Sequence, residues 1–218
     1  RSFEFLPVDN RGFTGMTAWT PVALGGGAGS AQPVNDDKRM NERNRTYLQL
    51  DLRNGAGTYG VENAGFDTGV ALTKDETYDV SFWARTTATG GTPVSLVLRS
   101  ADGTALSNPF TATVGGDGWV KYRGSVTATA TTDAARVLVQ AAGTGTLRLD
   151  EVSVFPRDTF MGRTNGLRKD VAQKIADLHP KFVRFPGGCI VNVNSHADYS
   201  AGSNYERARS YQWKDSVG

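Results

Sequence analysis

Through the first 155 residues, apolar side chains recur at every second position, in short runs broken by glycine. Period two binds a chain to half-buried β-strands, because successive side chains on a strand point to opposite faces. Leu48, Leu50 and Leu52 share one face of a predicted strand, with Tyr47, Gln49 and Asp51 on the other. Tyr78, Val80, Phe82 and Ala84 give a second alternation, Val94, Leu96 and Leu98 a third, and Phe3 and Phe5 a short one at the start. Trp119, Lys121 and Arg123 face opposite to Val120 and Tyr122. Ala135, Val137 and Val139 alternate with Arg136, Leu138 and Gln140, a strand partly covered on both faces. Leu147, Leu149, Val152 and Val154 close the set, with a break of register at Asp150-Glu151 that predicts a bulge. Turn signals separate these runs: Arg53-Asn54-Gly55, Thr89-Gly90-Gly91, Asp102-Gly103 and Gly115-Gly116-Asp117-Gly118. Together they predict a mainly β chain, an antiparallel sandwich of jelly-roll type.

Past Pro156 the period lengthens to that of a helix. Leu167, Val171, Ile175 and Leu178 fall on one stripe, with Ala172 and Ala176 beside it. Asp170 suits the start of this helix and Pro180 ends it. Residues 182–185 then read as a short strand buried on both faces, as in parallel sheets. A long polar loop follows, carrying Tyr199, Tyr205, Tyr211 and Trp213. The reading is a jelly-roll domain over 1–157 and a partial α/β segment over 158–218.

Composition removes several classes of function. With 24 basic and 22 acidic residues and no basic stripe, nothing points to nucleic acid. No apolar run reaches the ~18 residues of a membrane span. The single cysteine, Cys189, excludes an internal disulfide framework and a multi-cysteine zinc site. The chain opens mid-pattern on Arg1-Ser2-Phe3, which leads us to expect polypeptide beyond both ends.

The turn Arg184-Phe185-Pro186-Gly187-Gly188 follows the last predicted strand. Glycines there permit close backbone approach to a ligand, and an arginine can orient its hydroxyls or carboxylates. Three segments carry a resemblance: Asn165-Gly166-Leu167-Arg168, the run from Phe182 through Arg184 to Cys189, and the closing run from Tyr211 through Trp213 to Gly218. They resemble the α-L-arabinofuranosidases of glycoside hydrolase family 51. The opening Arg1-Ser2-Phe3-Glu4-Phe5 resembles a segment after that family's first barrel strand, and the residues between resemble its inserted carbohydrate-binding-type jelly roll.

The resemblance implies a retaining glycosidase on a (β/α)8 barrel, of which residues 158–218 form the incomplete N-terminal portion. It implies a substrate of arabinose-containing polysaccharide or oligosaccharide, a remainder of the barrel as partner and no catalytic cofactor; targeting is not legible in this stretch, with an extracellular setting favoured over a cytoplasmic one. Such enzymes use an acid/base Glu and a nucleophile Glu roughly 5 Å apart. Neither is expected here: past residue 158 the sole glutamate is Glu206, which matches neither motif, and Asn41-Glu42 lies in the jelly roll. This stretch alone is therefore expected to be inactive. Arg184, Gly188, Cys189 and Trp213 are the residues expected to bind substrate, Cys189 at a position that is Asn or Cys in the family. Glu4 and Asp150 resemble positions that hold a structural calcium in related modules.

Other residues carry weaker signals. Trp19, Trp83, Trp119, Tyr59 and Tyr122 are candidates for sugar stacking, against core packing as the plain alternative; for Trp83 the core is favoured. His179 and His196 lack ligand spacing, and Asn44-Arg45-Thr46 fits a glycosylation sequon. Two further functions stay open for the sandwich: a carbohydrate-binding module without catalysis, or a spacer that braces the barrel and binds no sugar. Exposed aromatics along one sheet face favour the module.

Overall fold

The computed structural model describes residues 3, 4, 12, 14–42, 44–65 and 67–182. Eleven antiparallel strands, β1 (Trp19–Leu24), β2 (Gly29–Val34), β3 (Tyr47–Leu52), β4 (Thr58–Asn63), β5 (Val70–Leu72), β6 (Thr77–Thr86), β7 (Thr92–Arg99), β8 (Phe110–Val114), β9 (Val120–Thr127), β10 (Thr132–Ala142) and β11 (Gly145–Pro156), make two sheets. One runs β1-β4-β10-β7-β8, with β5 beside the start of β10; the other runs β2-β3-β11-β6-β9. The chain crosses between the sheets repeatedly, keeping only the sequence neighbours β2–β3, β4–β5 and β7–β8 within one sheet, and the core forms where the two inner faces meet, as in a jelly roll.

The alternation read from sequence sets those inner faces. Leu48, Leu50, Phe82, Ala84, Leu96, Leu98, Val139, Leu147 and Leu149 are completely buried in one cluster. Phe82 anchors it, with Tyr122 stacked at 5.6 Å and Phe110 tilted at 6.0 Å. Gly124 makes room for that arrangement, since a Cβ there would lie 2.3 Å from the Phe110 ring. Two of the edge strands, β1 and β2, carry a proline, Pro21 and Pro33, where a missing N–H costs the ladder least.

The predicted bulge is present: the register of β11 against β6 shifts between Asp150 and Ser153, and Glu151 takes φ +50. β10 is covered on both faces at Leu138, which is 2% exposed on the side away from the core. One expectation at the start of the chain changes: Phe3 is buried against Trp19, centroids 5.4 Å apart, but sits in a bend rather than a strand.

Beyond β11, a short turn (Phe160–Gly162) leads into helix α1 (Lys169–Asp177). Thr159 bridges Arg168, and Lys169 Nζ reaches the Asp158 carboxylate at 2.8 Å, so the helix start is tied to the end of the sandwich. The predicted stripe is there, but it faces outward: Leu167 is 70%, Val171 47%, Ile175 51% and Leu178 79% exposed. The predicted strand at 182–185 falls outside the described residues, apart from an exposed Phe182.

Candidate functional site

Strands β4, β10, β7 and β8 lie side by side, and their outward side chains make a polar face. Register places Gln140 opposite both Gly60 and Ser95, Ser95 opposite Thr111, and Pro93 opposite Thr113. Between them opens a shallow pocket of about 280 Å3, lined by Thr58, Pro93, Ser95, Thr111, Thr113 and Gln140, with Ala142 at one end. The Thr58 hydroxyl donates to Gln140 Oε1 at 2.7 Å, which fixes the amide and leaves its NH2 as the free donor.

Two positions along the same face, Glu62 is held by two guanidiniums. Arg136 Nη1 donates to its Oε1 at 2.9 Å and Arg99 Nε to its Oε2. The Glu62 side chain is only 7% exposed, and Leu138 lies directly opposite it in the register. A carboxylate so far from water survives only when paired on both oxygens.

The aromatic candidates do not line up as a platform. Tyr59 is in the core, Tyr122 stacks on Phe82, and Trp19 packs on Phe3. Trp119 meets Tyr47 edge-on at 5.7 Å, donates from Nε1 to the Lys38 carbonyl at 2.8 Å, and has the Arg85 guanidinium over its ring. Arg85 and Arg148 both reach Asp117, at 2.7 and 3.4 Å, and these charges hold its carboxyl below the usual range, Arg85 foremost. Trp83 overturns an expectation: it is half-buried on the outer face of the five-stranded sheet, not in the core, with Lys121 Nζ 6.0 Å from its ring centroid. The signal was in the sequence, since the alternation that buries Phe82 must turn Trp83 the other way.

The two carboxylates singled out for calcium occupy different environments. Asp150 is completely buried; Oδ1 accepts the Glu151 N–H at 2.7 Å and Oδ2 has no hydrogen-bond partner. Burial pushes its carboxyl up to about 7, against the Glu151 N–H, with the Glu151 and Glu4 charges adding to the rise. Glu4 Oε1 accepts the Thr46 N–H at 2.6 Å, and Glu151 Oε1 accepts Asn44 Nδ2 at 2.8 Å. The orphaned buried oxygen of Asp150 is the kind of group that a hard, oxygen-seeking cation would satisfy. Among the described residues, no set of three acidic, histidine or cysteine side chains converges as a full metal shell.

Remaining candidates divide simply. Glu42 is an exposed carboxylate paired with Arg39 at 2.6 Å, whose hydrogen bond and charge lower it. Asn44 spends its amide on Glu151, so the sequon serves the fold. His179 ends α1 at φ +47. Arg184, Gly188, Cys189 and Trp213, with His196 and Glu206, lie outside the described residues.

A two-sheet antiparallel sandwich of this kind is the jelly-roll architecture, which hosts lectin domains among others. A family model described as a carbohydrate binding domain matches residues 2–146, about two thirds of the 218 residues, and the chain belongs to that family. Over its whole length it is also 48% identical to an extracellular exo-α-L-arabinofuranosidase of Streptomyces chartreusis, of which it covers 24%. It is 30% identical to α-L-arabinofuranosidase 1 of Arabidopsis thaliana, across 97% of this chain and 31% of that protein. Its fold matches that of the arabinose-bound MgGH51 α-L-arabinofuranosidase with a TM-score of 0.75 at 24% identity, over 94% of this chain and 31% of that one. The resemblance read from the sequence thus extends across the chain, which spans about a quarter to a third of the length of these relatives. Among the described residues no helix is long and apolar enough to cross a membrane.

Proposed function

We propose that this chain is the sandwich and early barrel portion of a retaining α-L-arabinofuranosidase that works outside the cell. The observation that carries the reading is 48% identity, sustained over all 218 residues, to a relative so named. The parent would remove terminal arabinofuranosyl groups from arabinose-containing polysaccharides. Its two catalytic glutamates would lie outside these 218 residues, about 5 Å apart across the scissile bond. Arg184, Gly188, Cys189 and Trp213 would contact the sugar, and the exposed stripe of α1 would pack against the rest of the barrel.

Within the parent, the sandwich would hold the polysaccharide near the active site. The family match to residues 2–146 supports this role. A brace that binds no sugar is the second reading, favoured by the packing of Trp19, Tyr59, Trp119 and Tyr122 into the fold. Glu4 and Asp150 would ligate a structural calcium, which would neutralise the buried carboxylate and tie the chain's start to β11.

Nitrophenol release from nitrophenyl α-L-arabinofuranoside, by the parent and by residues 1–218 side by side, tests the proposal. Activity in the parent alone is the expected result. Turnover by 1–218 would sink the claim that the glutamates lie elsewhere, and an inactive parent would remove the substrate.

A further inference from the structure

The pocket on the six-stranded sheet is small, lined by hydrogen-bonding groups and free of aromatic rings. We infer that it takes one pentose unit, an arabinofuranosyl branch or terminus, held by hydrogen bonds, and not the stacked backbone of a β-glucan or xylan. The inference rests on the sandwich being a sugar-binding module.

Size is the first argument. The opening of about 280 Å3 is large enough to seat a single monosaccharide. It falls just short of the ~300 Å3 at which pockets for drug-sized ligands begin.

Chemistry is the second. Flat pyranose chains are gripped by ring faces, and the described lining residues carry none. They carry hydroxyls from Thr58, Ser95, Thr111 and Thr113 and the free NH2 of Gln140. Pro93 and Ala142 supply a small apolar floor. Hydroxyls that donate and accept, around a patch of C–H, match a puckered furanose, whose hydroxyls project to several sides.

Continuation along the strands is the third. From Gln140 the next outward position on β10 is Leu138, opposite Glu62, where the carboxylate is already filled by Arg99 and Arg136. A long chain following the strands would meet a satisfied ion cluster rather than further open hydrogen-bonding groups.

Calorimetric titration of residues 1–218 with α-1,5-linked arabinotriose, methyl α-L-arabinofuranoside, xylohexaose and cellohexaose decides the matter. The two arabinosides should bind within about threefold of each other, and the hexaoses at least about tenfold more weakly. Gln140→Ala should weaken arabinotriose about tenfold and Ser95→Ala about fivefold, with melting temperature unchanged, while Trp83→Ala has no effect. Arabinotriose bound equally by wild type and Gln140→Ala overturns the pocket yet leaves the module reading standing. Loss of binding in Trp83→Ala moves the sugar to the other sheet. Hexaoses bound as tightly as arabinotriose overturn the furanose assignment. Binding of none of the four removes the module reading itself and leaves the brace.

Discussion

The sandwich and helix α1 carry equally clear apolar patterns, yet only the sandwich satisfies its own. Every second residue of β6 from Tyr78 to Ala84 is buried, whereas the stripe of α1 is exposed at Val171, Ile175 and Leu178. The helix keeps a single buried side chain, Ala172. Strand pairing supplied the sandwich with partners from distant sequence, such as β11 for both β3 and β6. For α1, the described residues supply no such partner. A pattern in sequence thus fixes which face will be covered, while the cover itself can lie elsewhere.

Core substitution should break the comparison most sharply. Phe82→Ala removes a ring packed between Phe110 and Tyr122 and should cost about 4 kcal/mol in urea unfolding. A loss below about 1 kcal/mol would mean that the sandwich core is not as described.

The next largest effect concerns Asp150. Its carboxyl rises from an ordinary 3.8 to about 7 on folding, so the metal-free folded state binds the proton more tightly than the unfolded one. In chelator, stability should be full below pH 4 and fall as pH rises from 4 to 7, by an amount on the order of 4 kcal/mol as a ceiling. Asp150→Asn should flatten that slope, and calcium should remove it in the wild type alone. Thermal melts across pH, with and without calcium, read all three; a flat wild-type profile in chelator would contradict the burial of this carboxylate.

Glu62→Ala leaves two guanidiniums without their carboxylate and should cost about 3 kcal/mol, the low end for breaking a buried pair because Arg136 is 38% exposed. Smallest of all, Ile175→Ser on the helix should change the stability of 1–218 by less than about 0.5 kcal/mol, in contrast to Phe82→Ala. In the proposed parent enzyme the same change should cost several-fold more, if the barrel covers this stripe.

Strands with a strict period of two were legible in advance: β3, β6, β7, β10 and the bulged β11 all follow their apolar residues. The edge strands β1 and β2, with Pro21 and Pro33 and few large apolar side chains, gave no such signal, because an edge strand is held by one neighbour and buries little. β4 was hidden for another reason. Glu62 sits where alternation marks a solvent-facing residue, and its burial depends on Arg99 and Arg136 arriving from two other strands. The same non-locality hid the pocket: Thr58, Ser95 and Gln140 are unremarkable polar residues until strand register sets them side by side.

The bond between Asn44 and Glu151 spans 107 positions and closes the sandwich next to the bulge of β11. Its donor nitrogen is the atom a secretory host would modify at Asn44-Arg45-Thr46. Attachment happens while a chain is still entering the secretory lumen, before β11 can claim that amide. Yeast or plant production would therefore place a bulky glycan where β11 must close on the segment before β3, and a bacterial host would leave the closure untouched.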